Sequence, residues 1–201
     1  MAHQIFETNQ EDSSHDHIQF EWRWFHELNV TELHEVMALR QKIFIIEQRC
    51  FYLDADPSDL DALHLLGWTQ QGGHKSLVAY LRIYPDGERS QKPAAPTKPL
   101  IKNQLGSSVK IGRVAVAQKW RAQGLGVQMM KLSHHELARR GVHQVKLAAQ
   151  SYIEGFYARL GYVTIGEEFM DAGIPHVMMK ITLQTPLNRT QLSLQSIKHL
   201  V

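Results

Sequence analysis

Residues 114–127 carry the strongest chemical signal in the sequence, Val-Ala-Val-Ala-Gln-Lys-Trp-Arg-Ala-Gln-Gly-Leu-Gly-Val. An apolar, strand-like stretch leads through a basic turn containing Arg121, Gly124 and Gly126 into a segment with helical periodicity. The N-terminus of a helix presents unpaired N–H groups and a partial positive charge, and glycine lets an anion approach the backbone. This order therefore predicts a phosphate-binding turn; the alternative is that the glycines only permit a tight turn between strand and helix.

Two common phosphate motifs do not fit this turn. A Walker A loop needs Lys and Ser or Thr after its second glycine, where this chain has Val127 and Gln128, and a dinucleotide fingerprint needs a small residue at Met129. The charge supports an anion site, because the surrounding segment contains one acid, Glu136, against the bases Lys110, Arg113, Lys119, Arg121, Lys131, Arg139, Arg140 and Lys146.

The turn Arg121-x-x-Gly124-x-Gly126 resembles the pyrophosphate loop of the GNAT N-acetyltransferase superfamily, which binds acetyl-CoA. Downstream, Gln150-x₅-Phe156-Tyr157-x₃-Gly161-Tyr162 is similar to a second motif of that superfamily. A closer resemblance is to the ElaA-type branch, and it rests on Phe44-Ile45-Ile46-Glu47-Gln48-x-Cys50, Asp54-x-Asp56-x-x-Asp59, His64-x-x-Gly67-Trp68, Ile111-Gly112-Arg113-Val114 and Gly173-Ile174-Pro175-His176. Phe51 departs from the proline usual in that branch, and the loop 84–106 is longer than usual.

The resemblance implies an α/β fold with a mixed, mostly antiparallel central sheet flanked by helices on both faces. It also implies acetyl-CoA as co-substrate, with the strand backbone and Gln150 on the pantetheine arm, the turn on the pyrophosphate, and Tyr157 as the acid that protonates the departing thiolate. Tyr157 as a core aromatic residue is the alternative. The implied cofactor-binding residues are Val114, Ala115, Val116, Arg121, Ala122, Gln123, Gly124, Leu125, Gly126, Val127, Gln150 and Tyr157.

Two residues are candidates for the general base, since a carboxylate or an imidazole can take a proton from an amine. Glu47 ends the first predicted helix and could instead pair with Arg40 or Arg49. His176 opens a late strand and could instead fix the turn after Pro175. We expect no nucleophilic role for Cys50, because direct attack by an amine needs no acyl-enzyme.

An acidic loop contains Asp54, Asp56, Asp59 and Asp61. A calcium loop would need glycine at position 59 and glutamate at position 65, so we predict no metal site. We consider two interpretations of the loop: it attracts a cationic amine, or it is an ordinary solvated loop.

The sequence therefore predicts an enzyme that transfers an acetyl group from acetyl-CoA to a primary amine by direct attack in a ternary complex. The alternative is an acyl-CoA-binding or sensing module without turnover. The net charge of +2 does not favour a nucleic-acid partner, and no apolar run is long enough for a membrane span. A homodimer is a further candidate assembly, and the single cysteine and the polar N-terminus favour a cytoplasmic location.

The 201 residues fit one domain. We expect a disordered tail over 1–17, the acetyltransferase domain over 18–183 with a long loop at 84–106, and a C-terminal extension over 184–201. Periodicity predicts strands at 18–24, 63–69, 76–83, 109–117, 145–149, 162–165 and 176–182, and helices at 31–47, 124–140 and 153–160.

Overall fold

The computed structural model describes residues 18–71, 73–87 and 105–184. The predicted tail, nearly all of the C-terminal extension and most of the loop 84–106 lie outside these ranges. The described elements are, in chain order, β1 (Gln19–Trp24), α1 (Val30–Arg40), β2 (Leu63–Gln71), β3 (His74–Pro85), β4 (Ser108–Val116), α2 (Leu125–Arg139), β5 (Gln144–Gln150), α3 (Glu154–Ala158), β6 (Val163–Asp171) and β7 (Ile174–Thr182).

The strands form one sheet in the order β1-β2-β3-β4-β5-β7-β6. Among the described strands only β4 and β5 pair in parallel, and every other neighbouring pair is antiparallel. Parallel neighbours need a crossover connection, which α2 provides, whereas the antiparallel neighbours β2/β3 and β6/β7 are joined by short turns. The predicted mixed, mostly antiparallel sheet is confirmed.

Helices cover both faces of the sheet, as expected from its alternating side chains. On one face, α1 buries Val36 and Leu39 against Leu66, Trp68 and Tyr80. On the other face, α2 and α3 join the larger core, whose members include Leu65, Leu81, Ile111, Met129, Met130, Leu137, Leu147 and Tyr157.

The first predicted helix is divided in two. It begins with a capping box, in which Asn29 accepts the Glu32 N–H at 2.9 Å and Glu32 accepts the Asn29 N–H at 3.0 Å. The α-helix ends at Arg40, and the chain continues as a π-helical segment, Gln41–Glu47. Such wider turns often occur at functional sites; here it carries Glu47 and Phe44 to the edge of the site described below.

Strand β4 has a bulge in its middle. Gly112 lies opposite Arg82 and Ala115 lies opposite Tyr80, so two residues of β4 face one residue of β3. Arg113 takes the extra position with φ 54°, a left-handed conformation that costs a non-glycine residue about 1 kcal/mol.

Strands β4 and β5 pair only at their first residues. Ser108–Lys110 align with Gln144–Lys146, but beyond Lys110 and Lys146 the two strands have no mutual partners. Both strands continue, to Val116 and Gln150, so their later halves diverge and leave backbone groups of β4 facing a gap. The candidate functional site lies at this gap.

Candidate functional site

A cavity of about 280 Å³ opens where β4 and β5 diverge. Its walls come from the π-helical segment and the loop after it, from the bulged part of β4, from the end of β5 with α3, and from the β6–β7 turn. The lining residues include Gln48, Cys50, Tyr52, Tyr84, Arg113, Val114, Gln150, Tyr152, Tyr157, Asp171 and His176.

The predicted phosphate turn lies where β4 leads into α2. Ala122 has φ 61° and Gly124 has φ 81°, and α2 begins at Leu125 with no acidic residue in its first turn. The N–H groups of residues 125–127 precede the first intrahelical bond, which Gln128 N–H donates to the Gly124 carbonyl at 3.0 Å, so they have no intrahelical acceptor and can serve an anion. Local structure also explains why glycine occupies these two positions. Gly124 adopts a positive φ, and a Cβ at Gly126 would lie 3.3 Å from the Phe156 ring.

The other side chains of this turn have different environments. Leu125 is buried with Trp120, and Gln123 donates to the Lys119 carbonyl at 3.0 Å. In the preceding strand the Ala115 side chain packs under α1, and Val114 and Val116 pack against the opposite core. Any contact of these residues with acyl-CoA would therefore be made largely by the backbone.

Arg121 links the turn to the first helical region. Its Nε donates to the Val116 carbonyl at 2.9 Å, and its Nη2 donates to the Glu47 carboxylate at 2.6 Å. Glu47 is therefore paired with Arg121 and not with Arg40 or Arg49, the partners considered from the sequence. It does not belong to the cavity lining.

Tyr157 lies in the cavity wall and is 5% exposed. Its ring makes edge contacts with Phe156 and Tyr162, at centroid distances of 4.9 and 5.9 Å. Burial, with a smaller contribution from Tyr152, raises the pKa of Tyr157 to about 12. The phenol is therefore protonated at neutral pH, the state that a general acid needs.

His176 lies across the cavity on β7. Its Nδ1 is 2.8 Å from the Ile174 carbonyl, and its ring stacks on Phe169. A carbonyl oxygen can only accept, so Nδ1 carries a proton, and in the neutral tautomer that this hydrogen bond selects the lone pair is on Nε2. Fixing the turn and acting as a base are thus compatible roles for this histidine.

Gln150 ends β5 beside the cavity, and both ends of its amide are engaged. Its Nε2 donates to the Gln48 side-chain oxygen at 3.1 Å, and its Oε1 accepts a hydrogen bond from the Tyr152 hydroxyl. This arrangement fixes the orientation of the amide group. Gln48 and Tyr152 belong to the site through this contact.

Cys50 is buried in the cavity wall. Burial, together with the negative charge of Asp171, raises the pKa of its thiol, although Arg113 acts in the opposite direction. A raised pKa disfavours the thiolate that a nucleophile requires. This agrees with the absence of a role for Cys50 in the sequence-based mechanism.

Three of the four carboxylates of the acidic loop, Asp54, Asp56 and Asp59, are paired with arginines, so for these three both interpretations were wrong. Arg40, fully buried, donates to Asp54 and Asp59 at 2.7 Å each. Arg82 donates to Asp59 at 2.6 Å and also to Asp56, and Arg113 donates to Asp54 at 2.7 Å. Three arginines balance the carboxylates of Asp54, Asp56 and Asp59, so these three have no net charge left to attract an amine.

Comparisons with known proteins agree with this geometry. Residues 100–183 match the family model described as an acetyltransferase (GNAT) domain. Escherichia coli ElaA is 33% identical over 164 residues, covering 79% of this chain and 94% of that protein. This chain belongs to the ElaA-type branch of the GNAT superfamily. As a member of that superfamily it is an acyltransferase, and the superfamily uses acyl-CoA and an acceptor.

Solved structures of related proteins have the same fold as this chain. The crystal structure of an acyl-CoA N-acyltransferase from Pseudomonas aeruginosa matches with TM-score 0.65 at 30% identity, covering 82% of this chain and 99% of that one. The crystal structure of E. coli ElaA matches with TM-score 0.64 at 29% identity and covers the same shares, 82% and 99%. The matched part spans almost the whole of both relatives.

Four of the residues selected from the sequence meet around the cavity of this GNAT protein: Val114, Gln150, Tyr157 and His176. The turn 121–127 stands at the end of β4, and Glu47 reaches the site only through Arg121. Sequence reasoning missed Tyr152 and Asp171, and it assigned no role to Arg113. Arg113 belongs to the motif Ile111-Gly112-Arg113-Val114 and could have been selected from it. For Asp171, the only sequence feature is its position directly before the Ala-Gly pair of a turn.

In residues 18–71, 73–87 and 105–184 no three His, Cys, Asp or Glu side chains come together in a group that could hold a metal ion. None of the helices in the same ranges has the length and apolar character needed to cross a membrane.

Proposed function

We propose that the domain of residues 18–183 transfers an acetyl group from acetyl-CoA to a primary amine by direct attack in a ternary complex. The observation that carries the proposal is that one cavity, at the divergence of β4 and β5, is lined by both Tyr157 and His176. The first is a protonated phenol and the second an imidazole with a lone pair on Nε2. Acetyl transfer to an amine needs one acid and one base.

The donor would be held by backbone groups. Acetyl-CoA supplies an acyl group activated as a thioester. The turn 121–127 fits the pyrophosphate, because its positive φ values and the start of α2 direct N–H groups outward. The half of β4 that has no partner in β5, at Val114 and Val116, fits the pantetheine arm and can polarise the thioester carbonyl. Gln150 offers an oriented amide beside them.

His176 is our choice for the base, because it lines the cavity and keeps Nε2 available. Its Nε2 takes a proton from the ammonium, directly or through a water molecule, and the neutral amine attacks the carbonyl carbon. Glu47 is already the acceptor of a hydrogen bond from Arg121 at 2.6 Å. We therefore assign Glu47 to an ion pair with Arg121 and not to proton transfer.

Tyr157 completes the reaction. As the C–N bond forms and the C–S bond breaks, its O–H donates a proton to the departing sulfur. The nitrogen, positively charged after the attack, loses a proton that passes through water to the phenolate, and His176 returns its own proton to the solvent. Its raised pKa keeps that proton in place until the thiolate develops. The neighbouring rings of Phe156 and Tyr162 fix the phenol in the wall.

A screen of amines and peptides with acetyl-CoA tests the proposal, with release of free CoA thiol as the readout and calorimetry as the measure of acetyl-CoA binding. We expect acetyl-CoA to bind, and thiol release to accelerate with a suitable amine. Binding without acceleration by any acceptor would instead support an acyl-CoA-sensing module. A protein that does not bind acetyl-CoA would contradict both functions.

A further inference from the structure

Asp171 is a carboxylate of the cavity wall that has no hydrogen bond or ion pair within residues 18–71, 73–87 and 105–184. It is exposed and ends β6. The other permanent charge in the wall belongs to Arg113, which is paired with Asp54 at 2.7 Å and with Asp56 at 3.4 Å. The described part of the wall therefore carries an uncompensated negative charge at Asp171. This charge contributes to the raised pKa of the Cys50 thiol.

The β6–β7 hairpin places Asp171 at a set distance from the proposed base. Across the two strands Phe169 pairs with His176, and Asp171 pairs with Ile174. Asp171 and His176 are therefore diagonal neighbours on one face of the sheet, about 7–8 Å apart. Side chains stand roughly perpendicular to a sheet, so the carboxylate and the imidazole are separated by a similar distance. Both side chains line the cavity.

The imidazole of His176 is engaged with other groups and leaves the Asp171 carboxylate to a ligand. Its Nδ1 donates to the Ile174 carbonyl at 2.8 Å, and its ring stacks on Phe169 at a centroid distance of 5.9 Å. These two contacts hold the ring on β7. A substrate that uses both the carboxylate and Nε2 must therefore span the distance between them.

One nitrogen cannot occupy both positions, so such a substrate needs two. The first stays protonated and binds Asp171 as an ammonium, and the second loses a proton to His176 Nε2 and attacks the thioester. The retained ammonium favours this step, because a like charge nearby lowers the pKa of the second nitrogen. The two groups of the wall thus fit the two ends of one molecule.

We propose that the acceptor is a short α,ω-diamine, with one ammonium bound at Asp171 and the other nitrogen acetylated beside His176. The separation of the two groups corresponds to about three to five carbons between the nitrogens. This inference rests on the proposed function and names its substrate class. The products are the monoacetylated diamine, whose second ammonium is unchanged, and free CoA. An amino acid of the same length would instead bring a carboxylate against Asp171, which is unfavourable.

The test compares four amines of equal chain length at saturating acetyl-CoA, by thiol release: 1,4-diaminobutane, 1-aminobutane, 4-amino-1-butanol and 4-aminobutanoate. We expect kcat/KM for 1,4-diaminobutane to exceed the values for 1-aminobutane and 4-amino-1-butanol by about tenfold or more, and 4-aminobutanoate to be the poorest acceptor. An advantage of only about twofold, which two equivalent nitrogens give by themselves, would overturn the inference while leaving acetyl transfer intact.

Variants of Asp171 locate the effect, with the ratio of kcat/KM for 1,4-diaminobutane to that for 1-aminobutane as the readout. Asp171→Asn should reduce this ratio to about two, and Asp171→Glu, which keeps the charge, should retain most of it. Glu167→Gln removes a charge from an exposed position of β6 outside the cavity lining and should leave the ratio as in the wild type. A ratio that survives in Asp171→Asn would show that Asp171 is not the ammonium site, even where the overall rate falls.

Calorimetry separates this inference from the proposed function. If no amine accelerates thiol release, acetyl transfer is contradicted, and binding of 1,4-diaminobutane that Asp171→Asn weakens would still support the ammonium site. Binding that Asp171→Asn does not weaken would overturn the site as well. Thiol release at similar rates with 1,4-diaminobutane and 1-aminobutane would support the transfer and overturn the diamine.

Discussion

Arg121 donates from Nη2 to Glu47 at 2.6 Å while its Nε donates to the Val116 carbonyl at 2.9 Å. The ion pair joins the π-helical segment to the start of the phosphate turn, and Arg121 is partly exposed. In the proposed complex the pyrophosphate lies at the turn that Arg121 opens, within reach of the Arg121 guanidinium. The carboxylate of Glu47 and the cofactor therefore compete for the same guanidinium.

Glu47→Gln should tighten acetyl-CoA binding, because it releases Arg121 and removes a negative charge near an anion site. An exposed ion pair contributes little, so we expect a gain of up to about fivefold in affinity. Calorimetry at low and moderate salt measures it, with kcat expected near the wild-type value. A loss of kcat of about a hundredfold or more would instead identify Glu47 as the base.

Tyr157→Phe should lower kcat by about 10²–10⁴-fold, the range for loss of a general acid, without changing acetyl-CoA affinity. The ring contacts with Phe156 and Tyr162 are retained in this variant. Tyr162→Phe is the control: it removes the hydroxyl that lies 2.9 Å from His134 Nε2, outside the cavity lining, and should affect stability more than rate. Unchanged turnover in Tyr157→Phe would exclude the acid role.

His176→Asn should lower kcat/KM for the amine about a hundredfold while the fold is kept, since the Asn amide can still donate to the Ile174 carbonyl. The variant has no counterpart of Nε2, the atom proposed to take the proton from the amine. Added imidazole should restore part of the rate, a result that a purely structural role of His176 would not give. Full activity in the variant would exclude His176 as the base and leave Glu47 as the candidate.

Asp59→Asn should reduce the free energy of unfolding by about 3–5 kcal/mol, because it leaves the buried charges of Arg40 and Arg82 incompletely paired. Asp59 is 3% exposed and Arg40 is fully buried. Urea unfolding measures the change, and Glu167→Gln on the exposed edge strand is the control. A loss below about 1 kcal/mol would show that the arginines find other acceptors.

Stability should fall between neutral pH and pH 4 through His64. Burial lowers the pKa of His64 to about 4, while its Nε2 lies 3.2 Å from the Asp59 carbonyl and its Nδ1 2.7 Å from the Tyr80 hydroxyl. The unfolded chain binds this proton below about pH 6.5 and the folded chain only below about pH 4, so the free energy of unfolding at pH 4.5 drops by about 2 kcal/mol.

Urea unfolding of wild type and His64→Gln from pH 7 to 4.5 checks this pH range, and the change of the unfolding free energy with pH should be smaller in the variant.

Two aspartates govern the pH dependence of stability in the more acidic range. Burial opposes ionisation of Asp56 and Asp59, but Arg82, the Ser58 N–H and Arg113 outweigh it at Asp56, and Arg40 and Arg82 outweigh it at Asp59, so both pKa values are lowered. Their contribution is complete above about pH 5, where the unfolded carboxyls are also ionised, and is lost as the pH falls through the unfolded pKa near 4 toward the lower folded values.

Local patterns predicted the elements well. The order of strands and helices, the β2–β3 hairpin and the start of α2 all follow from periodicity and glycine placement, which act within a few residues. The boundaries differed where tertiary contacts decide them. The helix predicted to reach Glu47 changes to a π-helical segment after Arg40, whose guanidinium is tied to Asp54 and Asp59.

The site itself was only partly predictable. The resemblance indicated the turn 121–127, Gln150, Tyr157 and His176, but neither spacing nor charge could reveal that Arg121 pairs with Glu47, 74 residues away. The acidic loop gave a wrong interpretation for the same reason. Its partners Arg82 and Arg113 lie on β3 and β4, and only the folded sheet brings them to Asp54, Asp56 and Asp59.

The short pairing of β4 with β5 has a consequence for how the molecule holds together. Ser108–Lys110 and Gln144–Lys146 are the pairs through which backbone hydrogen bonding passes between the two halves of the sheet. A ligand that spans the open part of this junction would add cross-links where the backbone supplies none. Substrate binding would then stiffen the junction between the two halves, and the empty enzyme would open along this line before its other strands separate.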